Sequence, residues 1–344
     1  MEKIVISETV DENRWNQRIL SMQGPMQLTT EWASFVCATN KLHPLFLEDG
    51  LGDDSLAAIV YLSVSSKWPL SRWPSASTDC IPLARDREDV LADLELVLRR
   101  RGVKEFQLNS FAYDGEWPIH LAPLGYVESG RYEFALSLDQ GIDTAWRGTR
   151  PTLRNDIRRF ERSGVVCHAR SDHGVVSALY GIDKDTALRH RAQGKQGTST
   201  PQVAYDTLWE ILVKSGRAFV YLAEKDGMPI ASVVIGRCGA NAYYIYGGAT
   251  PEGLALNAPK GLLWFAIQAE YEHGVREFNL GGMPASSAQP GSLEHGLYQF
   301  KTSFGATERS CISGRKVFRP VLTTIETGLR DVHRSLRDRS TSPV

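Results

Sequence analysis

The chain has 344 residues, 42% of them hydrophobic, which is more than one ordinary core holds and enough for about two domains. Its 39 Lys and Arg against 40 Asp and Glu give a formal net charge of -1, so no global field draws it to nucleic acid or a membrane, and any polyanion site must be a local patch. Cys37, Cys80, Cys167, Cys238 and Cys311 lie without CxxC or CxxH spacing, which argues against a structural zinc site or a secreted disulfide framework and fits a reducing compartment.

The opening MEKIVISETVDENRW alternates polar and apolar residues and is acidic where a signal peptide is basic, and no later stretch is apolar over about 18 residues. A cytoplasmic protein is expected. From Glu88 to Gly102, apolar residues at Val90, Leu91, Leu94, Leu96, Val97 and Leu98 precede Arg-Arg-Arg-Gly, the pattern of an amphipathic helix with a basic last turn and a glycine stop. Short strands follow at Glu105–Asn109 and from Gly125, and Arg131–Leu138 alternates as a half-buried strand does. The polar turn after Leu138 sets a domain boundary at 138/139.

Thr149–Gly164 reads as a helix with Pro151 in its first turn, a buried stripe of Leu153, Ile157 and Phe160, and Gly164 as its stop. Arg150, Arg154, Arg158 and Arg162 recur every fourth residue on one face, where guanidinium forks suit phosphate oxygens; the alternative is a solvated face paired with Asp156 and Glu161. Arg189 and Arg191 stand in a polar stretch before a helix around Tyr205–Val213, as candidates for a phosphate or carboxylate of a substrate. The runs Ala218–Ala223, Ile230–Gly236 and Asn241–Tyr246, the first two joined through Asp226-Gly227, form an antiparallel meander.

Leu262–His273 is then an apolar helix, ended by Gly274 and followed by a strand over Val275–Leu280. RGVKEFQLNS at 101–110 and HGVREFNLGG at 273–282 align as helix end, glycine and strand, which suggests an internal duplication. The loop entering the second helix, from Tyr246 through Asn257 to Lys260, has room for one phosphate beside Lys260. It makes a poor pyrophosphate cradle, because Pro259 lacks an N–H and only Gly261 allows close approach. After the strand, Gly281 and Gly282 open a long loop that can cover a ligand, and then comes GLYQFKTSFG, with Lys301 among Tyr298, Phe300 and Phe304. A lysine so placed either lays its stem on apolar surface or aims a cation at a ligand. No HExxH, GxSxG, Walker or GxGxxG pattern is present and the histidines lack ligand spacing, so no metal site, serine nucleophile or dinucleotide is expected.

Taken together, LRNDIRRFERSGV, YYIYGGA, KGLLWFAIQAEYEHGVREFNLGG and above all GLYQFKTSFG resemble the FemAB family of non-ribosomal aminoacyl transferases and the related FemAB-like acyltransferases, with Leu297 as an extra residue between the signature's glycine and tyrosine. The resemblance covers mainly residues 143 to 320. It implies an α+β fold of two tandem GNAT-like domains, each a mixed, largely antiparallel sheet flanked by helices, at 1–138 and 139–320, with a basic helix and tail at 321–344. It places oxyanion stabilisation on Lys301, positioned by Phe300 and Tyr298, as an amine attacks an acyl ester with no tightly bound cofactor. Candidates for substrate contact are Arg191, Tyr246, Asn257, Lys260, Asn279, Gly281 and Gly282, while Glu294 and His295 are the nearest potential bases.

The donor is either an aminoacyl-tRNA or an acyl-CoA. The arginine stripe and the basic residues Arg330, Arg334, Arg337 and Arg339 favour tRNA, and the missing cradle disfavours CoA. The acceptor is an amine on a small molecule, a peptide or a precursor at a membrane face, and DNA is not an expected partner. A non-catalytic module binding RNA or a precursor remains open.

Overall fold

The two aligned helix–glycine–strand segments each prove to be followed by the same sheet logic. The computed structural model describes residues 4–48, 57–63, 73–78, 88–110, 121–194 and 199–325. The expected basic tail, including Arg330, Arg334, Arg337 and Arg339, lies outside them. In chain order the first elements are β1 (Val5–Ser7), α1 (Glu12–Ser21), α2 (Thr30–Asn40), β2 (Leu42–Glu48), β3 (Ala57–Ser63), β4 (Ser75–Thr78), α3 (Glu88–Arg100), β5 (Glu105–Asn109) and β6 (Val127–Ser137). Next come α4 (Ile142–Gly148), α5 (Pro151–Glu161), β7 (Val166–Arg170), α6 (Gly174–Ala192), α7 (Gln202–Leu208), β8 (Ala218–Lys225), β9 (Met228–Cys238) and β10 (Asn241–Ala249). The last are α8 (Pro251–Ala255), α9 (Ala258–Glu272), β11 (Glu277–Pro284), α10 (His295–Ser303) and β12 (Thr307–Val317).

Two compact units result, and they interleave along the sequence. One comprises Met1–Val10, Asn40–Ser129 and Cys311–Val344, the other Asp11–Thr39 and Gly130–Ser310. In the first, β1 to β4 form an antiparallel run, β4 lies parallel to β5, and β12 closes the edge antiparallel to β5. In the second, β7 to β10 form an antiparallel run, β10 lies parallel to β11, and β6 closes antiparallel to β11. The order is the same in both, as the duplication predicts. The closing strand of each sheet comes from elsewhere in the chain: β6 follows β5 but joins β11, and β12 follows β11 but joins β5.

Strand alternation fixes what each face holds. In the second unit Phe134, Leu136, Ile235, Ala242, Phe278 and Leu280 point to one side, where α9 and the Leu153, Ile157 and Phe160 stripe of α5 cover them. On the other side α6 and the 3-10 turn Met26–Leu28 lie against β9 and β10. In the first unit Val90, Leu91, Leu94 and Leu98 of α3 pack on Phe106, Leu108 and Val60. Two expectations shift in detail. Arg189 and Arg191 lie in the last turn of α6, a helix whose apolar residues are too evenly spread to announce it, and a π-helical turn at Trp209–Val213 extends α7. Strand β11 also runs on through Gly281 and Gly282, which the sequence places in a loop.

Gly261 shows why one loop signal misleads. A side chain there would meet the Phe160 ring well inside contact distance, so this glycine lets α5 and α9 close on each other. In an open helix Gly→Ala stabilises by about 1 kcal/mol; here Gly261→Ala is expected to cost about 1–3 kcal/mol through overpacking. Urea unfolding of Gly261→Ala, Phe160→Leu and the double variant reads this as a less-than-additive loss. A Gly261→Ala protein as stable as the parent contradicts the contact.

Candidate active site

Strands β10 and β11 pair in parallel only through Asn241–Tyr243 and Glu277–Asn279. Beyond that point β10 follows β9 to Ala249 and β11 follows β6 to Pro284, so the two strands part. Both sides of this fork are irregular: the register shifts between Tyr244 and Tyr246 in β10, and between Asn279 and Gly282 in β11. Such bulges bend a strand and re-aim its side chains. Gly281 takes φ +83°, a left-handed conformation that glycine alone adopts without cost.

Lys301 occupies the fork. Helix α10 turns its side chain inward to 4% exposure, and its ammonium donates to the Gly282 carbonyl at 3.2 Å and stands 5.7 Å from the Phe134 ring centroid. A side chain on Gly281 would begin 3.3 Å from Lys301 Nζ, 3.5 Å from the Tyr244 carbonyl oxygen and 3.7 Å from the Tyr243 hydroxyl. The ammonium therefore sits between the two parting strands. Burial lowers its pKa to about 8, Glu133 and Glu294 pull it back up, and Arg131 pushes it down.

Across Gly282 lies a second buried charge. Glu133 of β6 is fully buried, accepts from the Arg131 guanidinium at 2.5 Å, and leaves its other oxygen, Oε2, without a hydrogen-bond partner. Burial outweighs the opposing pull of Arg131, the nearby Asn279 amide and Lys301, so its carboxyl is raised above the usual carboxylate range. A side chain on Gly282 would begin 2.5 Å from Glu133 Oε1 and closer still to the guanidinium. Asn279 completes the group by accepting the Gly281 N–H at 2.7 Å, which fixes the bulge.

Of the sequence-selected residues, Lys301, Asn279, Gly281 and Gly282 thus come together. The space beside the two glycines is filled by the chain's own charges, where the sequence suggests a ligand. Tyr298 packs edge-on against Phe134 at 5.7 Å and stacks on His295 at 5.9 Å, with a hydrogen bond to Glu308 pushing its phenol up. Phe300 instead meets Phe304, at 5.2 Å. Glu294 accepts from Ser287 Oγ at 3.0 Å, and His295 Nδ1 lies 3.2 Å from the Ser287 carbonyl oxygen.

The others have structural partners. Lys260 is paired with Asp156 at 2.6 Å, Tyr246 packs edge-on against Tyr205 at 6.2 Å, and the Asn257 carbonyl accepts the Lys260 and Gly261 N–H groups from a left-handed turn. Arg191 is exposed at the end of α6, and Arg189 donates to the Ala249 carbonyl at 3.3 Å. Within the arginine stripe, Arg154 turns back on the carbonyls of Trp146, Arg147 and Thr149 at the end of α4, and Arg150 reaches Thr302 at 3.1 Å. Arg158 and Arg162 are exposed on the surface of the α5 region.

Glu133 and Arg131 escaped the sequence reading because alternation puts them on the polar side of their strand. A carboxylate flanked by Tyr132 and Phe134 in a half-buried strand was the available signal. Burial pushes the Cys37, Cys167 and Cys238 thiols up to about 11, 12 and 11, so these three are unsuited as nucleophiles. Among the described residues no helix is long and apolar enough to cross a membrane.

Residues 147–302 match the family model described as an acetyltransferase (GNAT) domain. The crystal structure of FemX superposes with a TM-score of 0.74 at 12% identity, over 94% of this chain and 99% of that one. The C-terminal domain of a putative lysylphosphatidylglycerol synthetase from Agrobacterium fabrum gives 0.57 at 16% identity, over 92% and 96% of the two chains. A tandem GNAT protein from the clavulanic acid biosynthesis pathway gives 0.56 at 12%, over 92% and 98%. No curated protein matches the sequence. The tandem GNAT fold implied by the FemAB-like resemblance is therefore present, and the stretch from 147 to 302 is similar to GNAT acetyltransferase domains.

The buried ammonium has a measurable cost. Unfolded, Lys301 holds its proton to about pH 10.5, whereas folded it releases it near 8, a difference of about 3 kcal/mol. Between those values the unfolded state binds more protons, so stability rises with pH across this window, and the penalty is complete below it. Lys301→Met has no such term. The unfolding free energy of the parent minus that of Lys301→Met is expected to climb by about 3 kcal/mol from pH 8 to 10.5; a flat difference shows that the ammonium is not desolvated.

Proposed function

We propose that the protein transfers an aminoacyl group from a charged tRNA to the free amine of a peptide, a cell-wall precursor or a small metabolite, forming an amide. The observation that carries this reading is the Lys301 ammonium, desolvated and held by the Gly282 carbonyl where β10 and β11 part, within a stretch similar to GNAT acetyltransferase domains. The acceptor nitrogen attacks the ester carbonyl, a C–N bond forms and the ester C–O bond breaks. A proton passes from the amine to the departing ribose hydroxyl. Negative charge collects on the carbonyl oxygen meanwhile, and a fixed cation in a dry site stabilises it without reorganising. Bringing the two substrates together supplies much of the remaining acceleration.

The choice of donor is supported by how the basic and glycine-bearing segments are used. At the start of α9, Lys260 is occupied by Asp156, Gly261 is filled by Phe160, and Pro259 has no N–H, so little remains there to receive a pyrophosphate. Arg158 and Arg162 stay exposed and suit a nucleic-acid backbone. The acetyltransferase description of the 147–302 match favours a second reading, an acyl-CoA-dependent N-acyltransferase.

Two measurements separate these. Binding to bulk charged tRNA is expected to weaken steeply with salt, and Arg158→Ala with Arg162→Ala to reduce the log–log salt slope by about 2. CoA and acetyl-CoA are expected to leave the thermal midpoint unchanged. Stabilisation by CoA with salt-insensitive, weak tRNA binding would establish the acyl-CoA reading instead. With the donor in hand, Lys301→Met is expected to lower turnover about 100- to 1,000-fold with tRNA binding intact, and parent-like turnover removes Lys301 from the chemistry.

A further inference from the structure

We infer that Glu133 is the positioning residue that keeps Lys301 charged in its buried site, acting across Gly282 from the neighbouring strand. This rests on the transferase reading for its purpose but on geometry for its substance. Glu133 and Gly282 are register partners in the β6–β11 pair, and the absent side chain at 282 gives the carboxylate and the Arg131 guanidinium the space above β11. The Gly282 carbonyl is also the acceptor for Lys301. Gly282 therefore touches both groups, the ammonium through its carbonyl and the carboxylate through the space its missing side chain leaves.

The arrangement at Glu133 makes little sense as a structural ion pair alone. Arg131 donates to Oε1 only, and beside the buried Oε2 stands the Asn279 amide, outside good hydrogen-bond geometry, an expensive state for a carboxylate. Replacement of both Arg131 and Glu133 by apolar residues would relieve that cost. A carboxylate retained there offsets two nearby cations and supplies the negative potential that a desolvated ammonium needs to keep its proton. No hydrogen bond joins Glu133 to Lys301, so the carboxylate supports the charge while the ammonium's other N–H groups remain for a reacting oxygen.

Among the described residues, four charged or titratable groups stand around Lys301. Glu133 and Arg131 approach from β6, Glu294 from the segment before α10, and the Tyr243 hydroxyl from β10. Glu294 is exposed and hydrogen-bonded to Ser287, so water screens it more strongly than the fully buried Glu133. Removing Glu133 should therefore release the Lys301 proton at lower pH, and removing Glu294 should matter less.

The experiment needs no substrate, so it stands whether or not transfer from charged tRNA is found. Lysines carrying 13C at Cε are titrated by NMR in the full-length protein, and the Lys301 resonance is assigned by its loss in Lys301→Met. The parent is expected to titrate near pH 8, Glu133→Gln at least about one pH unit lower, and Glu294→Gln by a smaller displacement. Glu133→Asp, which retracts the carboxylate by one methylene, is expected to fall between parent and Glu133→Gln, and it decides the matter if Glu133→Gln does not fold. An unchanged midpoint in either Glu133 variant, or a larger shift in Glu294→Gln, overturns the inference. Once turnover is measurable, the alkaline limb of kcat should move down with Glu133→Gln and return in a Glu133→Gln, Lys301→Arg protein, since a guanidinium keeps its proton at any working pH. A merely structural loss at Glu133 would lower kcat at every pH and move neither limb nor resonance.

Discussion

Everything at the candidate site depends on two parallel strands ceasing to pair. After Tyr243 and Asn279 the facing edges of β10 and β11 no longer satisfy each other, and one buried ammonium occupies the opening. Unpaired backbone and a desolvated charge both cost free energy. The fold sustains them because the rest of each strand is held on its other side, β10 by β9 and β11 by β6, and because the helix layer of α5 and α9 seals the apolar face beneath. The opening is thus a local weakness set within a large and otherwise complete sheet.

Three glycines show how space is allotted around it. Gly281 needs its left-handed backbone and clears room for the Lys301 ammonium, and Gly282 clears room for the Arg131–Glu133 pair. Gly261 clears room for an aromatic ring and serves packing alone. In a sequence all three look like places where a backbone approaches a ligand. They differ in what fills the missing side chain's volume, and only the folded chain supplies that.

The same distinction explains how much the sequence revealed. The duplicated helix–glycine–strand units, the meander, the α5 stripe and the candidacy of Lys301 were legible because each rests on local periodicity or a short motif. The long helix α6 was not, since its apolar residues spread around the helix and leave no clear stripe. The arginine stripe was half legible: spacing puts Arg154 beside Arg158 and Arg162, but the end of α4 offers carbonyls that draw its guanidinium inward. Glu133 was hidden for a different reason. Alternation distinguishes the two sides of a strand, and it is silent on whether the second side is covered.

Chain order was the least reliable guide to domain content, and the reason bears on the chemistry. A boundary at 138/139 assigns β6 to the first half, following the order of elements in the sequence. In the structure Gly130–Ser137 pairs with β11 and belongs with the second unit. That strand brings Arg131 and Glu133 to the fork, while β11 brings Asn279 and the two glycines and α10 brings Lys301. The cation and its supporting anion therefore stand some 170 residues apart in sequence and meet only because the sheet is closed by a strand from the other half of the chain. A GNAT domain cut from the sequence at 139 would keep the lysine and lose the carboxylate, so the exchange of closing strands is part of what the site is made of.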